Sequence, residues 1–237
     1  MVDPSRSALP GTPGTGELLQ ILRDGRARTK AELAAHTGLA RSTVSSRVDV
    51  LLAAGLVQPA GEAASTGGRP PARMAFNPRA GIVLAIDLGA TRATIAVTDL
   101  AGHILASHTS ALDIAEGPEA VLDQALRDGA RLMGSGGLEA STLLGVGIGV
   151  PGPVEHSTGR PTNPPIMPGW DRFDVPNYVQ RTFAVPVLVD NDVNILALGE
   201  HALSWPSVDD LIFVKVATGI CAGILPGGAL QRGAQGT

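Results

Sequence analysis

The apolar residues of this chain change their spacing near Gly81, and that change limits the fold to two units of different kind. Before Gly81 they recur at helical intervals; after it they gather into short uninterrupted runs separated by turns. In the first stretch, Leu18, Leu19, Ile21 and Leu22 predict a short helix closed by Gly25. Thr29-Lys-Ala-Glu32 has the spacing of a capping box and predicts a second helix running to about Thr37. After a tight turn at Gly38-Leu39, Val44, Val48, Leu51 and Leu52 line one face of a third helix from about Arg41 to Ala54, stopped by Gly55. Leu56-Val57 and Ala72–Phe76 read as strands flanking a Gly/Ser/Thr loop over Gly61–Pro71. Three helices and a two-stranded wing make residues 17–76 a winged helix-turn-helix. Residues 1–16, rich in Pro and Gly and without periodicity, read as a disordered leader.

From Gly81 the pattern is α/β. Gly81–Leu88 is an apolar strand, Gly89-Ala90-Thr91 a turn, and Ala93–Thr98 and Ile104–His108 two further strands. A helix is expected over about Pro118–Met133, with Pro in its first turn. Leu143–Val150 is a buried strand ending at Pro151-Gly152-Pro153, and Val187–Val189 is a short strand leading into a helix over about Val193–Leu203. Leu211–Val216 is the last strong strand, with a hairpin expected at Gly227-Gly228.

At 237 residues the chain is long enough for one large or two unequal domains. Charge divides as the pattern does. Residues 1–80 hold ten Lys/Arg against six Asp/Glu, whereas the remainder is acidic enough to bring the whole chain to −4. A basic end on an acidic body points to a polyanion partner for the head. The longest apolar stretch, Gly81–Val97, is broken by Asp87 and Arg92, so no membrane span is expected. The N-terminus lacks the apolar run of a secretory signal. Cys221 is the single cysteine, which excludes an internal disulfide and suits a cytoplasmic protein. The five histidines show no ligand spacing, so neither a metal nor a cofactor is expected.

The first turns of the third helix carry Arg41, Ser42, Thr43, Ser45, Ser46 and Arg47, rich in donors and free of carboxylates, which suits DNA. Ser42, Thr43, Ser46 and Arg47 are the base-edge candidates, with Arg47 weighted most because a bidentate guanidinium on guanine is the commonest specific contact. Arg69, between Gly68 and Pro70, is placed to enter a minor groove from the wing. Lys30, Arg41 and Arg73 are expected on phosphates. For each the competing reading is an ordinary solvated surface.

In their order along the chain, the motifs resemble those of the ROK family of repressors, open reading frames and sugar kinases, and of its transcription-factor branch in particular. Asp87-Leu-Gly-Ala-Thr91 is similar to the family's first phosphate loop. Gly147-Ile-Gly-Val-Pro-Gly-Pro153 and Asn191-Asp-Val-Asn194, with Gly199-Glu200, are similar to its sugar-domain signatures. Thr218-Gly-Ile-Cys-Ala-Gly223, Gly233-Ala-Gln-Gly236 and the wing sequence Gly67-Gly-Arg-Pro-Pro71 complete the likeness over residues 17–237. The resemblance implies an actin-like, ribonuclease H-like ATPase lobe over residues 81–237 behind the DNA-binding head. Since ROK chains continue into a Cys/His zinc cluster and a second lobe, truncation at the C-terminus is expected.

The resemblance also implies a sugar or sugar-phosphate effector held by Gly152, Asn163, Asn191 and Asp192, with Asp192 the general base if the chain is a kinase. Asp87, Gly89 and Thr91 form a vestigial phosphate loop, because Ala90 puts a methyl group where a second glycine would let backbone approach phosphate. Asp192 also reads as a helix cap, loop asparagines as turn formers, and Trp170 as a plug or a sugar platform. ROK regulators are dimers or higher oligomers on near-palindromic operator DNA. A repressor of carbohydrate-related genes is therefore the expectation, an ATP-dependent sugar kinase the second, and an inactive fragment of the regulator the third.

Overall fold

The computed structural model describes residues 14–62, 70–217 and 219–233. Most of the leader, Arg69, Gly67-Gly68, Thr218 and the Ala234-Gln-Gly236 end of the last motif lie outside the described residues. By internal contacts the chain divides into one unit of residues up to Ile82 with Asp99–His103, and a second holding the rest.

The first unit comprises α1 (Thr15–Leu22), β1 (Arg28–Thr29), α2 (Lys30–Thr37), α3 (Arg41–Ala53), β2 (Val57–Glu62) and β3 (Ala72–Phe76). Helix α1 begins at Thr15, two residues inside the expected leader, with Gly14 before it in the left-handed region at φ 83°. The Thr29 capping box forms: Glu32 N–H donates to Thr29 Oγ1 (3.1 Å) while Thr29 N–H donates to Glu32 Oε2 (2.7 Å). Helix α3 starts on Ala40 with no side-chain cap. Leu18 and Leu22 of α1, Leu33 of α2, and Val44, Val48 and Leu51 of α3 meet in a buried core. The wing is longer than its apolar residues indicate. Strand β2 runs to Glu62 through exposed positions, and β1, which carries no apolar signal, adds a third strand to give the antiparallel order β1-β3-β2.

The second unit is built on a five-stranded sheet. Its strands are β4 (Ile82–Leu88), β5 (Arg92–Asp99), β6 (Ile104–Ala111), β7 (Leu143–Val150) and, after the short pair β8 (Val154–Glu155) and β9 (Arg160–Pro161), β10 (Val187–Asn191), in the spatial order β10-β7-β4-β5-β6. Helix α4 (Pro118–Ser135) buries Val121, Ala125, Gly129 and Met133 at four-residue spacing, and a Cβ on Gly129 would come within 3.0 Å of Leu84 on the sheet. Helix α5 (Val175–Gln180), absent from the sequence reading, is capped by Asp174. Trp170 is fully buried and its indole N–H donates to Ile114 O (3.2 Å), which makes it a plug.

Helix α6 (Asp192–Ser204) packs against a separate hairpin of β11 (Leu211–Val216) and β12 (Ile220–Leu225). The two strands already pair at Val216 and Ile220, ahead of Gly227-Gly228, which lie beyond β12 at φ 60° and 73°. Glycine is needed at 223, where a Cβ would stand 2.9 Å from Val193 O of α6. The opposite face of the hairpin pairs Ile212 with Ile224 and Val216 with Ile220, and these side chains are exposed.

Candidate nucleic-acid interface and effector site

At about 100° per residue, Ser42, Ser45, Ser46, Asp49 and Ala53 fall on one stripe of α3, and they line a shallow concave face together with Val50. Ser42 and Ser46 are exposed there, Arg41 flanks the stripe, and Thr43 is half-buried. Arg41 also lines a recess with Thr29, Lys30, Pro71 and Met74, bounded by the start of α2 and the start of β3.

Two of the expected contacts are engaged within the head. Lys30 Nζ donates to Asp49 Oδ1 (2.7 Å) and to Ser45 Oγ (2.8 Å). Arg47 lies well off the stripe: its guanidinium packs against Gly14, and its Nε is buried without a hydrogen-bond partner among the described residues. Arg73 is half-exposed, 3.9 Å from Glu32. The Thr29 backbone N–H and then its hydroxyl hold the Glu32 carboxyl below its ordinary range. Sequence reasoning placed Ser45 on the polar side of the helix but missed Asp49 as a member of the exposed stripe, although its i+7 spacing from Ser42 was visible.

In the second unit, β7 and β10 run parallel, so their carboxyl ends lie on one side, where open α/β sheets place ligands. A Cβ on Gly149 would stand 3.5 Å from both Asp87 Oδ1 and Asp192 Cα, which puts the two acids on either side of the β7 end. Asp192 is buried and its carboxylate accepts from Lys215 Nζ of β11. Burial among surrounding protein, and next the Asp192 charge, push the Asp87 carboxyl up, with Lys215 partly opposing them. Lys215 gave no sequence signal, since it lies 23 residues from Asp192 on another strand.

The remaining effector candidates gather nearby but are mostly engaged. Asn191 caps α6 by accepting from Val193 N–H (2.9 Å) and donates from Nδ2 to Gly152 O (2.8 Å). Gly152 lies beneath Pro164 and Met167, where a Cβ would be 2.8 Å from Pro164 Cβ. Asn163 is exposed at φ 43°, a turn former whose N–H donates to Asp171 Oδ1 (2.7 Å). Asp190, not singled out from the sequence, is a buried anchor: Oδ2 accepts from Arg232 Nε (3.0 Å) and faces His156 Nδ1 (3.3 Å), and Oδ1 accepts from Asn194 Nδ2 (2.9 Å) and Asn191 N–H (2.8 Å). Gly89 to Thr91 form the β4–β5 turn, closed by Gly89 N–H to Arg92 O (2.8 Å) and held by Ile114 N–H on Ala90 O (3.0 Å).

A winged helix-turn-helix joined to an α/β lobe of the actin-like, sugar-kinase type defines the class of this protein. The chain belongs to the ROK family, which it matches over residues 83–237, and residues 18–69 match the MarR family. It is 30% identical over 220 residues to the xylose repressor of Caldicellulosiruptor bescii, covering 92% of this chain and 55% of that one, so the chain spans about half the length of the curated relative. Its structure resembles a ROK family transcriptional regulator described as a homologue of the Escherichia coli MLC protein, with a TM-score of 0.79 and 20% identity over 99% of this chain and 58% of that one. It also resembles the ROK hexokinase of Thermus thermophilus, with a TM-score of 0.56 and 28% identity over 65% of this chain and 50% of that one. No helix among the described residues is long and apolar enough to cross a membrane.

Proposed function

We propose that these residues supply the operator-reading head and sugar-sensing lobe of a transcriptional repressor of carbohydrate-related genes, acting in the cytoplasm as a homodimer or higher oligomer. The observation that carries this reading is the exposed stripe of α3, polar and beside a wing. Ser42 and Ser46 are assigned to base edges, and Arg41, Arg73 and the wing's Arg69 to the phosphates and the minor groove. Arg47 is assigned to bracing α1. An effector that binds the DNA-incompetent arrangement better than the competent one lowers operator occupancy by its differential affinity. The name of the relative makes xylose the first sugar to try.

The test is fluorescence anisotropy of the full chain on the duplex upstream of its own gene and on an unrelated duplex, across a salt series, with and without xylose. Tighter, salt-sensitive binding to the first duplex that weakens in Ser46→Ala supports the reading. Equal weak binding to both duplexes overturns it.

A second reading, an ATP-dependent sugar kinase, draws on the hexokinase likeness and on Asp192 at the family's general-base position. Against it, the Lys215 ammonium occupies the Asp192 carboxylate that would have to take a hydroxyl proton. Phosphorylation of xylose or glucose by ATP that is lost in Asp192→Asn would revive the kinase reading.

A further inference from the structure

The exposed stripe of α3 carries a single anion, Asp49, among three serines. A carboxylate on a surface that approaches DNA phosphates is repelled unless a cation neutralises it or a base donor faces it. Here the cation is built in. Lys30, from the first position of α2, places Nζ 2.7 Å from Asp49 Oδ1 and 2.8 Å from Ser45 Oγ, so one ammonium bridges both stripe residues. Ser45 Oγ in turn stands 3.5 Å from Asp49 Oδ2. The Asp49 side chain is nevertheless 60% exposed. A carboxylate has about four acceptor positions; Lys30 takes one on Oδ1 and Ser45 Oγ donates to Oδ2, so acceptor positions remain on an exposed side chain. The pair therefore presents an oriented acceptor without a net negative charge.

We propose that Asp49 is a specificity-determining residue that accepts a hydrogen bond from the exocyclic amino group of a cytosine in the major groove, with Lys30 and Ser45 as positioning residues. This rests on the reading of α3 as the DNA-contacting helix. Of the two bases with major-groove donors, adenine sets its N7 acceptor beside the amino group and so confronts a carboxylate with a lone pair. Cytosine offers the amino group without that neighbour. Asparagine, with both a donor and an acceptor, suits the adenine edge instead.

The experiment is selection of binding sites from a randomised duplex pool by the full chain, followed by sequencing, for the wild type, Asp49→Asn, Asp49→Ala and Lys30→Met. Wild type enriches a cytosine at one position of each half-site, Asp49→Ala loses roughly tenfold of preference at that position alone, and Asp49→Asn moves the preference there to adenine. Lys30→Met relaxes the same position. The inference is overturned if the Asp49 variants keep every base preference and bind all duplexes more tightly with a steeper salt dependence, since Asp49 would then face phosphates. No enriched site with the wild type would overturn the DNA-binding reading itself, and this inference with it.

Discussion

Arg47 and Gly14 are in direct contact, the guanidinium of one lying where a side chain on the other would have to go. An arginine on the helix expected to read DNA thus braces the start of α1, at a residue held in the left-handed region at φ 83°. Arg47→Ala should lower the stability of the head by on the order of 1 kcal/mol and weaken binding to related and unrelated duplexes by the same factor. Gly14→Ala should cost at least as much, because it adds backbone strain to the clash. Urea unfolding read beside anisotropy on two duplexes checks both; a selective loss of one duplex in Arg47→Ala would return that residue to the base edges.

The two helix starts of the head predict opposite responses. Thr29→Ala removes a formed capping box and should cost about 1 kcal/mol. Ala40→Ser supplies α3 with the side-chain cap it lacks and should gain a similar amount. In thermal melts this is a shift of roughly 4–8 °C in each direction for a domain of this size.

Asp24 and Arg28 make a bidentate pair, with Arg28 Nη1 to Oδ1 at 2.7 Å and Nη2 to Oδ2 at 2.5 Å. The hydrogen bonds from Arg28 hold the Asp24 carboxyl down at about 2, from an ordinary 3.8. A carboxyl with a depressed folded-state pKa stabilises the fold above its unfolded value and ceases to do so as pH falls through the folded one. The head should therefore lose stability from about pH 4 down through about pH 2. Asp24→Asn should flatten that limb of a urea-midpoint-against-pH curve; an unchanged limb would assign it to other carboxyls. Because Asp24 is 41% exposed, solvent screening keeps the effect small.

Lys215→Met would strand the buried Asp192 carboxylate and should cost about 3 kcal/mol, whereas Lys215→Met with Asp192→Asn should lie nearer the wild type. A double-mutant cycle on chemical denaturation gives the coupling directly. A coupling near zero would mean that the attraction across the pair only offsets the cost of taking Asp192 out of water.

Much of the head could be read from its residues because local chemistry decides it. The Thr29–Glu32 spacing and the Val44, Val48 and Leu51 face are each complete within two or three turns. What escaped was decided at a distance. Arg47, four residues before Leu51 and three after Val44, borders the buried face of α3, but that its guanidinium meets Gly14 is decided by where α1 lies. Strand β12 was hidden because a glycine, Gly223, stands beside Leu225 on its buried face, and Gly-rich sequence reads as loop until α6 is seen to leave no room for a Cβ there. In the site, Gly152 and the Asn191-Asp192 motif were legible, but the partner Lys215 comes from a strand 23 residues from Asp192.

The outward row of the β11–β12 hairpin bears on handling the protein. Ile212, Val216 and Ile220 are each more than 60% exposed and sit as neighbouring aliphatic pairs on one strip. An exposed apolar strip of this kind favours association between copies of the chain as it is concentrated. Threonine in place of Ile212 and Val216 keeps the strand-favouring branched carbon while thinning the strip, and that doubly substituted chain is the form to carry into binding measurements.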